Sequence, residues 1–208
     1  MNSLSESQIS TEITSFVVPE GITHIEPRTF KDCIFLKSVV LPSTLLSIDD
    51  MAFYNCKNLT SIEFPISLCY IGHIAFHLCL SLTTIQFPSS LLSLGNGAFA
   101  SCLKLSSVHF GEESSLLRME RSVFYNCPRL TTISLPHSLL TWGENVFLDC
   151  HRRMTIRVKN TNQYIKMKED YPYYSVLFDS FKQELIREYM HPRHVSRFLE
   201  AGGDLDCY

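Results

Sequence analysis

Several features that announce chemistry or a membrane are missing from this 208-residue chain. It contains no HExxH, GxSxG, Walker-type or GxGxxG sequence, so the common metalloprotease, hydrolase and nucleotide-binding frameworks have no anchor. Its formal charge of -3 removes the electrostatic case for nucleic acid or an anionic membrane surface. No stretch approaches the roughly 18 apolar residues of a membrane span. The opening residues, Met1 to Ser7, have neither a basic nor an apolar leader region, so no secretory signal is expected. Eight cysteines would suit a disulfide framework, but that reading needs an oxidising compartment and a small, core-poor chain. With 45% hydrophobic and 19% charged residues, the chain has material for an ordinary core, and a reducing, intracellular location is expected. The charge divides weakly: residues 1–150 hold 8 Lys+Arg and 13 Asp+Glu, and residues 151–208 hold 10 and 8.

What is present is a period. Proline recurs every 23 residues at Pro19, Pro42, Pro65 and Pro88, with Gly111 on the next beat and Pro136 two residues late. Phe30, Phe53, Phe76, Phe99, Phe124 and Phe147 keep the same spacing, as do Cys33, Cys56, Cys79, Cys102, Cys127 and Cys150. Three independent columns share one period and one two-residue slip. In the unit from Leu59 to Leu82, Leu59, Ile62 and Phe64 form the apolar side of a strand, with Ser61 and Glu63 on the other side. Pro65 ends that strand, having no N–H for a further ladder bond. Leu68 and Ile71 make a second short extended segment, and Ala75, Phe76 and Cys79 form a tight corner. One unit cannot close a core, so stability has to come from stacking neighbours. The sequon Asn58-Leu59-Thr60 reads as accidental, because Leu59 is a core position.

The pattern resembles the BspA-like, or Treponema-type, leucine-rich repeat, close to L-x-x-I-x-L-P-x-x-L-x-x-I-x-x-x-A-F-x-x-C-x-x-L, over roughly residues 13–156. The resemblance implies a β-rich curved solenoid that offers its strand face to partners. The expected fold is therefore a β-rich leucine-rich-repeat solenoid of about six coils over residues 11–159, followed by a short α-helical segment over residues 160–208. The first unit departs from the pattern with Gly21-Ile22. The fifth lengthens over residues 111–124, which predicts a loop carrying Glu112, Glu113, Arg118, Glu120 and Arg121. Residues 154–158 read as a degenerate last strand, the polar cap that blocks end-to-end stacking.

Beyond residue 160 the period changes. Tyr174, Leu177, Phe178, Phe181, Leu185 and Tyr189 follow helical spacing, and Pro192 suits the start of a second, shorter helix bearing Val195, Phe198 and Leu199. This pair is read either as a cap on the solenoid or as a docking segment for a partner. The stretch from His191 to Asp204 is also similar to a short C-terminal motif in proteins of large DNA viruses.

Candidate chemistry is sparse. Stacked cysteines lie at a spacing of about 4.8 Å, which a disulfide tolerates, but a straight ladder does not converge on a tetrahedral metal. The column is read as small buried hydrophobes under the phenylalanine corner, with Cys69 and Cys207 off the column as the more exposed thiols. His73 and His77 lie outside any helix, so their spacing implies no ligand pair, and His191 and His194 read as surface polar residues. His109 has no Ser or Cys column to make it a catalytic base. No catalytic residue, metal or cofactor is expected.

The strand face carries two outward columns. One is nearly all hydroxyl: Ser15, Ser38, Ser61, Thr84, Ser107 and Thr132. The other varies freely through Val17, Val40, Glu63, Gln86, His109, Ser134 and Arg157, and is the expected partner-binding surface, because it changes without disturbing the stack. Its apolar start at Val17 and Val40 would seed an interface patch, but the column has no dense aromatic hot spot. The expected function is protein–protein recognition by an adaptor or scaffold with an unidentified protein partner. A surface adhesin, as the family resemblance implies, and a self-associating structural component are the alternatives.

Overall fold

The computed structural model describes residues 2–158 and 164–166. The expected helices at 174–199, the motif from His191 to Asp204, and Cys207 lie outside the described residues. The first strands in chain order are β1 (Ser3–Leu4), β2 (Ser15–Val17), β3 (His24–Ile25), β4 (Ser38–Val40), β5 (Ser47–Ile48), β6 (Tyr70–Ile71) and β7 (Thr84–Phe87). They continue as β8 (Ser93–Leu94), β9 (Ser107–Phe110), β10 (Arg118–Met119), β11 (Thr132–Leu135), β12 (Thr141–Trp142), β13 (Thr155–Val158) and β14 (Tyr164–Lys166). A single 3-10 turn, Glu6–Gln8, lies between the first two.

These strands build the expected β-solenoid, with about seven turns. One side is a seven-stranded parallel sheet in the order β1-β3-β5-β6-β8-β10-β12. Its register steps by one repeat, as in Ser47 opposite Tyr70 and Ile48 opposite Ile71. The stack reaches back to Ser3–Leu4, ahead of the residues in which the repeat is recognisable, because β1 bonds to β3. The other side is in three pieces: β2-β4, β7-β9 and β11-β13-β14. The continuous sheet is thus built by the short segment after the proline, and the proline-terminated strand makes the broken side.

No ladder forms along residues 61–64, although that unit keeps the repeat. The rings report a wider spacing on that side: Phe64 to Phe87 is 5.9 Å, while the corner pair Phe76 to Phe99 of the same two coils is 5.0 Å. The break between β9 and β11 coincides with the two-residue insertion. That insertion is smaller than the 111–124 loop expected from sequence. Ser115 already donates its N–H to Ser89 and Leu117 to Leu92, so the stack has resumed by then. Arg118 lies in β10, Glu120 accepts from the N–H of Asn96, and Arg121 pairs with Glu144. Only Glu112 and Glu113 of the five expected loop residues stand in the exposed turn. At the far end β13 pairs in parallel with β11, and β14 turns back antiparallel along it, closing that piece with a strand of opposite direction.

Between the two sides lies one continuous core. Phe30, Phe53, Phe76 and Phe99 are fully buried and stacked face to face at 4.8, 4.9 and 5.0 Å. Each corner needs two residues in the left-handed region. The first column is Arg28, Met51, Ile74, Gly97, Ser122 and Asn145; the second is Asp32, Asn55, Leu78, Ser101, Asn126 and Asp149. Asn and Asp tolerate this conformation better than other residues with a Cβ. Leu78, at φ 62°, breaks an otherwise polar column in which Asn55 donates to Asp32 at 2.7 Å. The Asn55 Oδ1 is buried and has no partner. Leu78→Asn relieves the backbone cost and sets an amide donor beside that oxygen. We expect a gain of about 1 kcal/mol, seen as a higher urea midpoint with unchanged slope; a lower midpoint would refute the ladder argument.

Candidate functional site

The variable column survives as a surface. Val17 and Val40 face each other across β2 and β4 and are 67% and 59% exposed. Gln86 and His109 are opposite one another across β7 and β9, and both are exposed. Ser134 pairs with Arg157 across β11 and β13; the serine is half-buried and the arginine exposed. Glu63 is exposed but sits on the stretch without a ladder. The structure therefore brings the seven residues to one side as three register pairs, with Glu63 between the first two.

Sequence reasoning missed one contact here. The Ser107 hydroxyl lies 2.7 Å from His109 Nε2. The signal was available, because alternation puts residues two apart on the same face of a strand. His109 is exposed in water and Ser107 half-buried, so this pair stands on an open surface. The remaining hydroxyl column stays outward, with Ser15, Ser38, Thr84 and Thr132 exposed.

The cysteine column is interior, as expected from its packing under the corner. Cys33 donates to the Ser10 carbonyl at 3.9 Å, and from Cys56 onward each thiol of the column donates to the carbonyl of a phenylalanine in the preceding coil. Cys56 reaches Phe30 at 3.1 Å, Cys79 Phe53 at 3.2 Å, Cys102 Phe76 at 3.4 Å, Cys127 Phe99 at 3.4 Å and Cys150 Phe124 at 3.1 Å. Burial pushes the Cys102 thiol up to about 12 and, with the Asp32 charge adding to it, Cys33 to about 11. Cys69, expected to be exposed, is half-buried and donates to the Ser67 carbonyl at 3.3 Å.

These shifts set a pH window. A thiol whose folded pKa is raised keeps its proton in the native state, so its contribution is full below the unfolded value of about 9 and is lost above it. The urea midpoint should hold steady from pH 7 to about 9 and then fall towards pH 11. A midpoint that stays flat to pH 11 would contradict burial of the column.

His73 and His77 make no ligand pair. His73 Nδ1 is 2.9 Å from the Asn96 carbonyl oxygen, and the His77 ring stacks on Tyr54 at 5.6 Å. Burial lowers the His77 pKa. Among the described residues no group of three His, Cys, Asp or Glu side chains is arranged to hold a metal ion. Nor is any described helix long and apolar enough to cross a membrane.

Stacked 23-residue coils with one continuous parallel sheet, a phenylalanine spine and an exposed variable column define a leucine-rich-repeat solenoid. The family described as BspA type Leucine rich repeat region matches in six copies, within residues 7–118 and 70–169. The chain belongs to that family. Solved structures share the fold. A leucine-rich repeat protein from Bacteroides ovatus is 28% identical with a TM-score of 0.60, covering 65% of this chain and 35% of its own length. The T. pallidum leucine-rich repeat protein TpLRR is 29% identical with a TM-score of 0.59, covering 67% of this chain and 64% of its own. The pneumococcal vaccine antigen PcpA, at 24% identity and a TM-score of 0.64, covers 73% of this chain and 42% of its own, and shares the fold alone. The chain thus spans between about one third and two thirds of the length of these relatives. No curated protein matches it.

Proposed function

We propose that the chain is a protein-binding module, an adaptor or scaffold, that engages its partner through the variable strand column. The observation that carries this reading is the contrast between neighbouring columns on one face. Residues 15, 38, 61, 84, 107 and 132 keep a small hydroxyl, while the column two residues on runs from valine through Glu63, Gln86 and His109 to Arg157. A face with only structural duties has no reason to confine its variation to one exposed column. The apolar pair Val17 and Val40 supplies contact area at one end, and Gln86, His109 and Arg157 supply polar specificity further along.

The test is a pull-down from the native cell with the full chain, beside a variant carrying Glu63→Ala, Gln86→Ala and His109→Ala. All three side chains are exposed, so the variant should fold with an unchanged midpoint. A partner held by the wild type and lost by the folded variant supports this face. One held equally by both places binding elsewhere, at the Glu112-Glu113 turn or the residues beyond 160. Recovery of the chain alone, with a mass that grows with concentration, supports self-association instead.

A further inference from the structure

A two-residue turn separates each column cysteine from the strand side that follows, at 34–35, 57–58, 80–81, 103–104, 128–129 and 152–153. Stacked one per coil, these turns make a ridge along the solenoid. None of them holds Asp or Glu, in a chain with 21 acidic and 18 basic residues. The last three carry Lys104, Arg129 and Arg152, all exposed. Among the described residues, none of these three side chains makes a hydrogen bond or an ion pair. Like charges in neighbouring coils repel, so the stability of the stack gives no reason for the run. By contrast, Arg121 meets Glu144 of the next coil at 3.2 Å, and the stacked acids Glu26 and Asp49 each accept from a serine hydroxyl, Ser3 and Ser47. Beside the cations the ridge turns apolar, with Leu103 40% exposed and Leu80 half-buried.

We propose that this ridge is an interaction surface for an extended acidic segment of a partner protein. Three alternate carboxylates lie on Lys104, Arg129 and Arg152, and an apolar residue beyond them packs on Leu103 and Leu80. The spacing fits. Alternate side chains of an extended peptide recur at about 6.7 Å. The coils that carry the cations are 6.0 and 5.8 Å apart at their corner rings, from Phe99 to Phe124 and from Phe124 to Phe147. The two guanidinium forks take a carboxylate through paired hydrogen bonds, and the lysine takes one as a point charge. A nucleic-acid strand fits less well, because its affinity comes from neutralising many phosphates and the chain as a whole carries -3. The surface is distinct from the variable column and does not depend on it, since Glu63, Gln86 and His109 lie outside the ridge.

The experiment titrates the full chain into a fluorescein-labelled peptide, Leu-Ser-Glu-Ser-Glu-Ser-Glu-Ser-Leu, whose pattern is the same in both directions, and reads anisotropy. Saturable binding that weakens as salt rises is expected. The full chain carrying Lys104→Gln, Arg129→Gln and Arg152→Gln should bind roughly tenfold or more weakly, with an unchanged urea midpoint because all three side chains are exposed. The variant carrying Glu63→Ala, Gln86→Ala and His109→Ala should bind as the wild type does, which separates this surface from the column. A peptide of the same composition with its three glutamates adjacent should bind the wild type several-fold more weakly. Absence of saturable binding, equal binding by the glutamine variant, or equal binding of the rearranged peptide overturns the proposal. So does an equal loss in the column variant, or tighter binding of a single-stranded oligonucleotide of the same charge.

Discussion

Replacing Phe76 by alanine is expected to destabilise the protein by about 3–5 kcal/mol, enough to unfold much of the population at ordinary temperature. The ring is fully buried at the middle of the spine. It stacks on Phe53 at 4.9 Å and on Phe99 at 5.0 Å, and meets Phe64 edge-on at 5.7 Å. The cavity has little room to collapse, because the neighbouring coils are pinned by backbone bonds on each side of the gap. Phe76 N–H donates to the Ala98 carbonyl at 2.7 Å and Phe53 N–H to that of Ala75 at 2.8 Å. The loss also spreads, since stability in a solenoid resides in the interfaces between successive coils and Phe76 belongs to two of them. Phe76→Leu separates the terms: it fills most of the volume and forfeits mainly the aromatic contacts, about 0.5–1.5 kcal/mol. Urea unfolding of both variants checks this. A Phe76→Ala cost below about 1 kcal/mol would mean that the spine is not where the stack is held.

Gly95→Ala should cost roughly 2–3 kcal/mol, more than any surface substitution on the repeats. The reason is contact, since Gly95 is not one of the residues with positive φ. A Cβ at this position would meet the Gly72 carbonyl carbon at 2.6 Å and the His73 nitrogen at 2.7 Å. Both are backbone atoms of the preceding coil and cannot swing away. Gly95 N–H is also bonded to the Ile71 carbonyl at 2.8 Å, so moving the chain outward would break a rung beside the continuous sheet. Gly72 and Gly143 face the same restriction against the coils before them, at 2.7 Å from the Asp49 carbonyl carbon and 2.3 Å from the Arg121 nitrogen. Between these glycines in the column stands Glu120, so the coil spacing there admits a side chain one step away. The expected result is a lower thermal midpoint for Gly95→Ala with the strand signal retained below it. An unchanged midpoint would show that the coils separate easily at this edge.

Both variants bear on what was legible beforehand. The phenylalanine and cysteine columns were visible as spacing, and their burial followed from the need of each unit for neighbours. Gly72 and Gly95 fall on the period as well, but nothing in a linear string says that a neighbour's backbone lies where a side chain would go. The insertion at residues 111–114 shows the same division. Its length was readable from the slip in three columns, whereas the return to register at Ser115 depends on bonds to Ser89. The expected loop was therefore too long, and took Arg118, Glu120 and Arg121 out of coil positions that they in fact hold.

The candidate face divides likewise. Alternation along the strand was enough to place Val17, Val40, Gln86 and His109 outward, because side chains of an extended chain point to opposite sides in turn. The interruption at residues 61–64 was not readable, since Ser61, Ile62, Glu63 and Phe64 keep the alternation of polar and apolar positions that the other units show. What the sequence determined by itself was the period, the identity of the inward residues and the class of fold, all set by one hydrophobic pattern repeated every 23 residues. What only the tertiary structure decided was which of the two extended segments carries the continuous sheet. A hydrogen-bond ladder depends on the distance between coils, and that distance comes from the packing of whole neighbouring units, not from any residue within one of them.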